Sequence, residues 1–474
     1  MPGQAGTRRL TVLVGALLAI AVLVAVILGL GADGRPPPIP RAGVLAPPAA
    51  GPLGYNPARM AQFVARATAG EAHVLFTKSP GGAVATAARV TRFTGLIDQV
   101  TSGTGVDPGT LAGIVFLESA GDPQVIAGGD PVAAAGLTQI VASTGESLLG
   151  MKINLTASQT LTRQIDRAQA AGQAQRVARL EHRRALVDPR FDPRQALAGT
   201  VRYLELAQRA VGRPDLALES YHMGIGNLQS VLAAYDDGAP VPYAQLYFDS
   251  SPDHHSAAYQ LLSSFGDDSW TYYWRVLAAE QILYLYRTDR AALNRLASLQ
   301  VQAGSAAEVL HPPGITPGFA TPDDLDRAYA AHVIVPLPAD PSRLGLAYSP
   351  AMGSLAHHFG FSPRLYRGLR PAALDLLVWL AQRVRQLSRA APLTVAGTVA
   401  DRRAQQYYGY SDPPAAAGWS FTIQRRYVNS AQRAAFQAEL DRLQALNLIA
   451  WQRYPAEIEV TVASDAGQVL ARGV

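Results

Sequence analysis

The stretch Val106-Asp107-Pro108-Gly109-Thr110-Leu111-Ala112-Gly113-Ile114-Val115-Phe116-Leu117-Glu118-Ser119 decides the fold of the N-terminal half of this chain. Asp107 is a good N-cap and Pro108 a good first helical residue, so the sequence predicts a helix that begins here. Positions 111, 114, 115 and 118 recur on one helical face, and Glu118 ends that otherwise apolar face. Partial burial there would raise the pKa of its carboxyl, which suits a general acid at neutral pH. A paired or solvated Glu at a helix C-terminus is the alternative interpretation.

Two further motifs follow in the sequence. Ala135-Gly136-Leu137-Thr138-Gln139-Ile140 stands about twenty residues on, and Ser220-Tyr221-His222-Met223-Gly224-Ile225-Gly226 about eighty beyond that. With Glu118-Ser119 they form an ordered trio that resembles the soluble lytic transglycosylase family, whose motifs read ES, GLMQ and AYNAGPG. The resemblance implies a mainly α, goose-type-lysozyme-like catalytic domain over residues 60–299.

The resemblance also implies an activity. Enzymes of this family cleave the MurNAc-β-1,4-GlcNAc bond of peptidoglycan with one carboxyl that serves as acid and then base, and leave a 1,6-anhydro ring. Glu118 is the expected acid/base, with Asp122, Asp130 and Glu146 as rivals nearby in sequence. The other interpretations are a catalytically weak peptidoglycan-binding or scaffold protein, and a hydrolytic muramidase in which water replaces the C6 hydroxyl. The expected partner is the peptidoglycan glycan strand, and no cofactor is expected.

The family motifs assign substrate binding to six positions, which are Ser119, Gly136, Gln139, Tyr221, His222 and Gly224. Ser119 and Gln139 are expected to line the cleft and hydrogen-bond the sugars. Backbone around Gly136 is expected to approach the substrate where a side chain would obstruct it. Tyr221 is expected to orient the Glu118 carboxyl, and Gly224 to allow the turn behind it.

The second and third motifs depart from the family pattern. Thr138 stands where the family has Met before the Gln, and Ala142 stands where it has Pro three residues after that Gln. In the third motif the Asn is His222, which can still donate one hydrogen bond, and the following Ala and Pro are Met223 and Ile225. None of these changes removes the acid.

The N-terminus predicts a membrane anchor. Residues 10–32 are uncharged and mostly apolar and would span roughly 34 Å as a helix, enough for one bilayer crossing. Arg8 and Arg9 precede this stretch, so the positive-inside rule places the tail 1–9 in the cytoplasm and the catalytic part outside the cell membrane, on the cell-wall side. A cleaved signal peptide is the alternative. Residues 33–59 are rich in Pro, Gly and Ala and predict a semi-rigid linker.

Composition excludes several classes of site. The 474 residues contain no cysteine, so disulfides, thiolate metal sites and cysteine nucleophiles are absent. The net charge of +5 is mild and spread along the chain, and no basic run interleaved with aromatics predicts nucleic-acid binding.

Two segments of the helical half have their own character. Residues 156–188 are rich in Gln, Arg and Ala and predict an inserted helical hairpin, either a lid that faces the wall or a plain surface insertion. Residues 270–275 form an aromatic cluster, Trp-Thr-Tyr-Tyr-Trp-Arg, that could stack on sugar rings but is more typical of a core.

The C-terminal third has a different pattern. Residues 300–340 have a linker-like, Pro- and Gly-rich composition. In residues 341–474, helical runs at 371–388 and 430–446 alternate with strand-like runs at 393–395, 419–423 and 457–462, which predicts a small α+β domain. This segment resembles a D-Ala-D-Ala carboxypeptidase-like zinc peptidase.

The zinc ligands of that second family are missing here. Its two His positions are occupied by Ala415 and Glu459 and its Asp position by Thr422, and no histidine follows His358. We therefore expect a degenerate domain without zinc, which holds stem peptide or braces the catalytic domain. His254-His255 and His357-His358 are adjacent pairs, and on a regular element the two side chains of such a pair cannot both face one point. No metal site is therefore expected from them either.

Overall fold

The computed structural model describes residues 51–302, 306–312 and 314–474. The predicted tail 1–9, the predicted anchor 10–32 and the first part of the predicted linker lie outside these residues. Within the described part of the chain, no helix is both long and apolar enough to cross a bilayer. The fold is mainly helical with a smaller β component, in agreement with the predicted multidomain α and α+β organisation.

The chain forms two compact units, each described here by itself. The first comprises Val74–Tyr243 and Leu262–Ala297, and the second comprises residues 51–73, Ala244–Leu261 and Ser298–Val474. The predicted boundaries placed residues 60–73 and Ala244–Leu261 of the second unit in the helical domain, and residues 51–59 in the linker. Long-range pairs explain the difference, because the Phe63 ring packs 5.0 Å from that of Phe248 and Arg383 pairs with Asp253 within the second unit.

Most of the chain between residues 60 and 302 is α-helical. The helices are α1 (Met60–Lys78), α2 (Ala83–Val90), α3 (Thr94–Thr101), α4 (Pro108–Ser119), α5 (Ala142–Ser147), α6 (Leu155–Ala170), α7 (Ala174–Val187), α8 (Pro193–Val211), α9 (Pro214–Met223), α10 (Ile225–Asp236), α11 (Tyr243–Asp249), α12 (Ser256–Ser264), α13 (Asp267–Trp270), α14 (Tyr272–Thr288) and α15 (Arg290–Gln302). A two-stranded antiparallel sheet, β1 (Ala134–Ala135) and β2 (Ile140–Val141), carries the second motif in the turn between its strands.

Helix α4 forms the centre of the first unit. The Asp107 carboxylate caps it by accepting the Thr110 N–H at 3.0 Å, and Pro108 is its first residue, as predicted. It is buried on nearly every side, so the apolar face extends beyond the predicted stripe. Gly113 allows α14 to approach closely, since a Cβ there would lie 2.8 Å from a methyl group of Val276. The helix ends at Ser119, so Glu118 lies in its last turn.

Residues 155–187 form the predicted helical hairpin, α6 and α7. Leu161, Ile165, Ala168 and Leu180 give it a small hydrophobic cluster of its own. Arg184 ties the hairpin to the adjoining loops, because it is buried, donates to Gln124 Oε1 at 2.7 Å and covers the Phe191 ring. The hairpin is therefore a packed part of the first unit.

The second unit contains a five-stranded sheet in the order β4-β6-β7-β9-β8, parallel between β4 and β6 and otherwise antiparallel. The strands of the C-terminal region are β3 (Val335–Pro336), β4 (Leu346–Tyr348), β5 (Gly368–Leu369), β6 (Leu393–Gly397), β7 (Ser420–Gln424), β8 (Ile449–Arg453) and β9 (Glu457–Val462). The helices are α16 (Ala306–Leu310), α17 (Pro322–Ala330), α18 (Pro371–Ser388), α19 (Arg402–Tyr407), α20 (Pro413–Ala416), α21 (Ser430–Ala445) and α22 (Ala466–Arg472). The predicted α+β alternation is thus present, while β4 and β8 escaped sequence prediction.

Residues 300–340, which were predicted as a linker from their composition, contain packed elements in the structure. Thr321 opens α17 with a reciprocal capping box to Asp324. Leu325 and Ala328 are buried in a cluster with Ile334. Proline and glycine here mark the turns between short packed elements, which composition alone does not distinguish from a linker.

Candidate active site

Glu118 projects from the last turn of α4 and keeps partial solvent exposure. One carboxyl oxygen, Oε1, accepts a hydrogen bond of 2.7 Å from the Tyr272 hydroxyl. Burial disfavours the charged form and raises the pKa of Glu118 to about 7, and the Tyr272 hydrogen bond opposes that rise. The carboxyl is therefore present in both protonation states near neutral pH, as an acid that later acts as a base requires.

Tyr272 stands at the start of α14 and is almost fully buried. Its ring stacks against His222 at a centroid distance of 5.3 Å and lies 6.2 Å from that of Tyr221. Burial and the nearby Glu118 raise the pKa of Tyr272 well above its ordinary value, so its hydroxyl stays protonated. Tyr272 is thus a fixed donor to the Glu118 carboxyl.

Tyr221 was expected to orient the Glu118 carboxyl, but in the structure the Tyr221 hydroxyl has other partners. It donates to the Thr138 carbonyl at 2.7 Å and lies 3.2 Å from the Thr200 hydroxyl. Tyr221 therefore links the third motif to the second and supports the Tyr272 ring. The direct contact to the Glu118 carboxyl comes instead from Tyr272, in the aromatic cluster at 270–275. The high density of aromatic residues there was the only sequence signal for this contact.

Glu219 is a functional candidate that sequence reasoning missed. Its side chain is fully buried, and Oε2 accepts the Tyr273 backbone N–H at 2.9 Å in the first turn of α14. Burial raises the pKa of Glu219 to about 8. Because it has no access to solvent, Glu219 cannot reach a substrate. It positions the helix start that carries Tyr272.

The second motif is held against the end of α4. The buried Ser119 hydroxyl donates to the Leu137 carbonyl at 2.7 Å, so it braces the motif where a sugar contact was expected. Gly136 has φ +81°, and a Cβ there would lie 1.8 Å from the Arg190 carbonyl oxygen. Gln139 also has a positive φ, +51°, and its amide donates to the Val125 and Gly136 carbonyls. These contacts fix the loop in one conformation.

A buried ion pair clamps the same hairpin. Arg190 and Asp188 are both fully buried and joined by two hydrogen bonds of 2.8 and 2.9 Å. The guanidinium also donates to three carbonyls of the β1–β2 region, at Pro131, Ala133 and Ile140. A buried charge needs such full pairing. This clamp begins at the last residue of the predicted insertion and was not recognised from the sequence.

The third motif forms the turn between α9 and α10. The His222 imidazole lies with Nδ1 3.0 Å from the Ser269 hydroxyl oxygen. Gly224 adopts φ +91°, and its N–H donates to the Ser220 carbonyl at 2.7 Å. The predicted turn role of Gly224 therefore has a geometric basis. The motif also brings His222 to the Tyr272 ring.

The three rival carboxyls differ from Glu118 in environment. Asp122, Asp130 and Glu146 are all exposed. The Asp130 carboxylate accepts hydrogen bonds from Gln159 and from the Val132 N–H, which lower its pKa. An exposed carboxyl that is stabilised in its charged form is a poor proton donor at neutral pH.

In the second unit, one cleft of about 710 Å³ is lined by the three residues that stand where the zinc peptidase family has its metal ligands. Ala415, Thr422 and Glu459 all contribute to its wall. Asp412 joins them, and burial together with the Asp412 carboxyl raises the pKa of Glu459. The cleft thus contains the carboxyl groups of Asp412 and Glu459, where the zinc peptidase pattern would have histidines. The expectation that it holds no catalytic zinc stays a prediction.

Replacing Tyr272 by Phe should raise the pKa of Glu118 further, because the hydroxyl hydrogen bond favours the carboxylate. The carboxyl carbon resonance of Glu118, followed by NMR across a pH titration, measures this directly. The matched control is Tyr221→Phe, which removes a hydroxyl that donates to the Thr138 carbonyl and should leave the Glu118 midpoint nearly unchanged. A larger shift in the Tyr221 variant would assign the orienting role back to Tyr221.

Neither protein-family models, nor curated proteins, nor solved structures match this chain.

Proposed function

We propose that this protein is a membrane-anchored lytic transglycosylase that acts on the glycan strands of peptidoglycan. The observation that carries the proposal is the Glu118 carboxyl, whose pKa is raised to about 7 and whose Oε1 accepts one hydrogen bond, from Tyr272. The motif resemblance supplies the substrate class, and the geometry supplies a proton donor of suitable strength.

The reaction needs one group that gives a proton and later takes one. Protonated Glu118 donates to the bridging oxygen as the bond between that oxygen and C1 of the muramoyl sugar breaks, and the GlcNAc side leaves as an alcohol. The resulting carboxylate removes the proton of the muramoyl C6 hydroxyl. O6 bonds to C1, the 1,6-anhydro ring closes, and Glu118 is again protonated without consumption of water.

The surroundings of Glu118 fit this single-carboxyl scheme. Two-carboxylate glycosidases hold their second group about 5–9.5 Å away, where its charge would act on the pKa of the acid. Among the described residues, no charged carboxylate contributes to the pKa of Glu118, which is set by burial and by Tyr272. This environment is compatible with attack by the substrate hydroxyl, and analysis of the reaction products tests it against hydrolysis.

We further propose that residues 10–32 anchor the protein in the cell membrane with the catalytic unit on the outer side. The apolar length and the preceding arginines support this part of the proposal. The protein should stay in the membrane fraction through a high-salt wash, and external protease should reach everything beyond about residue 33. Recovery of a soluble form that starts near residue 33 would show a cleaved signal peptide instead.

Glu118→Gln should fold and lose release of muropeptides from peptidoglycan, by about 10²–10⁴-fold or more because the same group serves as acid and base. The matched controls are Asp122→Asn and Glu146→Gln, which alter exposed carboxyls and should keep activity. Wild-type turnover in the Glu118 variant would contradict the proposal.

Thermal unfolding of the same variant separates folding from catalysis. The folded-state pKa of Glu118, about 7, lies above its reference value of 4.5. The stabilisation from the bound proton is therefore complete below pH 4.5 and is lost as pH rises to about 7. Glu118→Gln should match the wild type at pH 4 and be at least as stable at pH 8, with a gain of up to about 3 kcal/mol that partial exposure reduces.

The product should carry a 1,6-anhydro-muramoyl end. Digestion of isolated peptidoglycan by the purified protein in ¹⁸O-labelled water, followed by mass spectrometry, distinguishes the outcomes. Unlabelled anhydro ends are expected, because O6 of the substrate is the nucleophile. Labelled reducing ends would favour a hydrolytic muramidase, and binding without any product would favour the scaffold interpretation.

A further inference from the structure

A loop of the second unit brings two adjacent histidines to one carboxylate. His254 and His255 lie between α11 and α12, and Asp249 is the last residue of α11. One ligand atom from each of the three side chains lies within 4.8 Å of the others. Adjacent residues on a regular element point apart, which is why the sequence predicted no convergence. Here His255 has φ +47°, and this left-handed backbone allows both rings to turn to Asp249.

We propose that Asp249, His254 and His255 form a binding site for a divalent transition-metal ion, with zinc as the best match. Two imidazoles and one carboxylate are a ligand set that zinc favours, and three protein ligands leave one position open. The proposal does not rest on the glycan chemistry, since all three residues belong to the second unit.

The distances between the side chains are compatible with a shared metal ion. His254 Nδ1 lies 3.4 Å from Asp249 Oδ1, and His255 Nε2 lies 3.5 Å from Asp249 Oδ2. Charge-assisted N–H···O bonds are usually about 2.7–2.9 Å. Ligands bonded to one tetrahedral zinc ion at about 2.0–2.1 Å are about 3.3 Å apart. Each imidazole nitrogen is therefore about one tetrahedral edge from a carboxylate oxygen of Asp249, the first from Oδ1 and the second from Oδ2.

The loop is held by hydrogen bonds of its own and by an ion pair. The backbones of Ser251 and His254 exchange two hydrogen bonds, and the Ser251 hydroxyl donates to Asp253. The Asp253 carboxylate is held in turn by a bidentate pair with Arg383 of α18, at 2.6 and 2.7 Å. Ordered supporting contacts of this kind orient metal ligands.

The site is open to solvent and has room for a fourth ligand. The side chains of Asp249, His254 and His255 are 26, 47 and 30% exposed, so an ion can enter. Asp249 and His254 also line a cavity of about 440 Å³, which can hold water or an added ligand on the ion. His254 Nδ1 lies 3.0 Å from the Asp249 backbone carbonyl oxygen. An ion at that nitrogen replaces its proton and leaves the ring proton on Nε2.

The test uses the untagged full-length protein, stripped with EDTA and desalted. Added ZnCl₂ should give one zinc per chain by elemental analysis, and CoCl₂ should give the visible absorption of four-coordinate Co²⁺. His254→Ala/His255→Ala should weaken zinc binding by more than about 100-fold, because loss of even an outer-shell partner costs about 10–100-fold. The matched control is His357→Ala/His358→Ala, an adjacent pair whose side chains are both exposed, and it should bind zinc like the wild type.

Unfolding midpoints in EDTA check that the variants fold. If the double alanine variant is less stable there, Asp249→Asn decides, because it keeps the side-chain size and removes the charge. Less than one zinc per chain in the wild type, or equal affinity in the wild type and in Asp249→Asn, would overturn the proposal and leave a solvated His–Asp cluster. Loss of glycan cleavage in Glu118→Gln tests the proposed activity separately.

Discussion

The proposed chemistry of the first unit depends on one carboxyl that is largely shielded from water and still has a hydrogen-bond partner. Glu118 ends a helix that is buried on nearly all sides, and desolvation there raises its pKa to about 7. Among the residues that the structure describes, the Tyr272 hydroxyl donates to it. A stronger set of donors would stabilise the carboxylate and remove the acid, and no donor would leave a buried polar group unsatisfied. The helix packing around α4 maintains that balance.

The surrounding contacts serve to hold this carboxyl and the facing loop in place. Ser119 pins the second motif by its Leu137 carbonyl, and Arg190 clamps the same hairpin from behind. Glu219 fixes the start of α14 through the Tyr273 N–H. Ser119, which the motif resemblance assigns to substrate contact, here donates a hydrogen bond to a backbone carbonyl. In the proposed reaction, a preorganised site of this kind would avoid reorganisation when charge develops.

The second unit shows how composition misleads about order. Residues 300–340 have the proline and glycine content of a linker, yet Leu325 and Ala328 are buried there. The strands β7 and β9 and the helix α18 were recognised because their patterns are local. The edge strand β4 is three residues long, and its pairing with β6 joins residues about 47 positions apart, as in Leu346 with Leu393. Short runs of that kind carry no usable period.

The sequence by itself determined the features that depend on neighbours along the chain. These are the Asp107 cap, the helix that it opens, the place of Glu118 at its end, the helical hairpin and the α+β character of the C-terminal region. Only the tertiary structure decided that Tyr272, 154 residues from Glu118, contacts the carboxyl that Tyr221 was expected to orient. It also decided that His254 and His255 converge on Asp249. The physical reason is that such contacts, and the burial that sets a pKa, depend on how distant segments pack, which local periodicity and spacing do not encode.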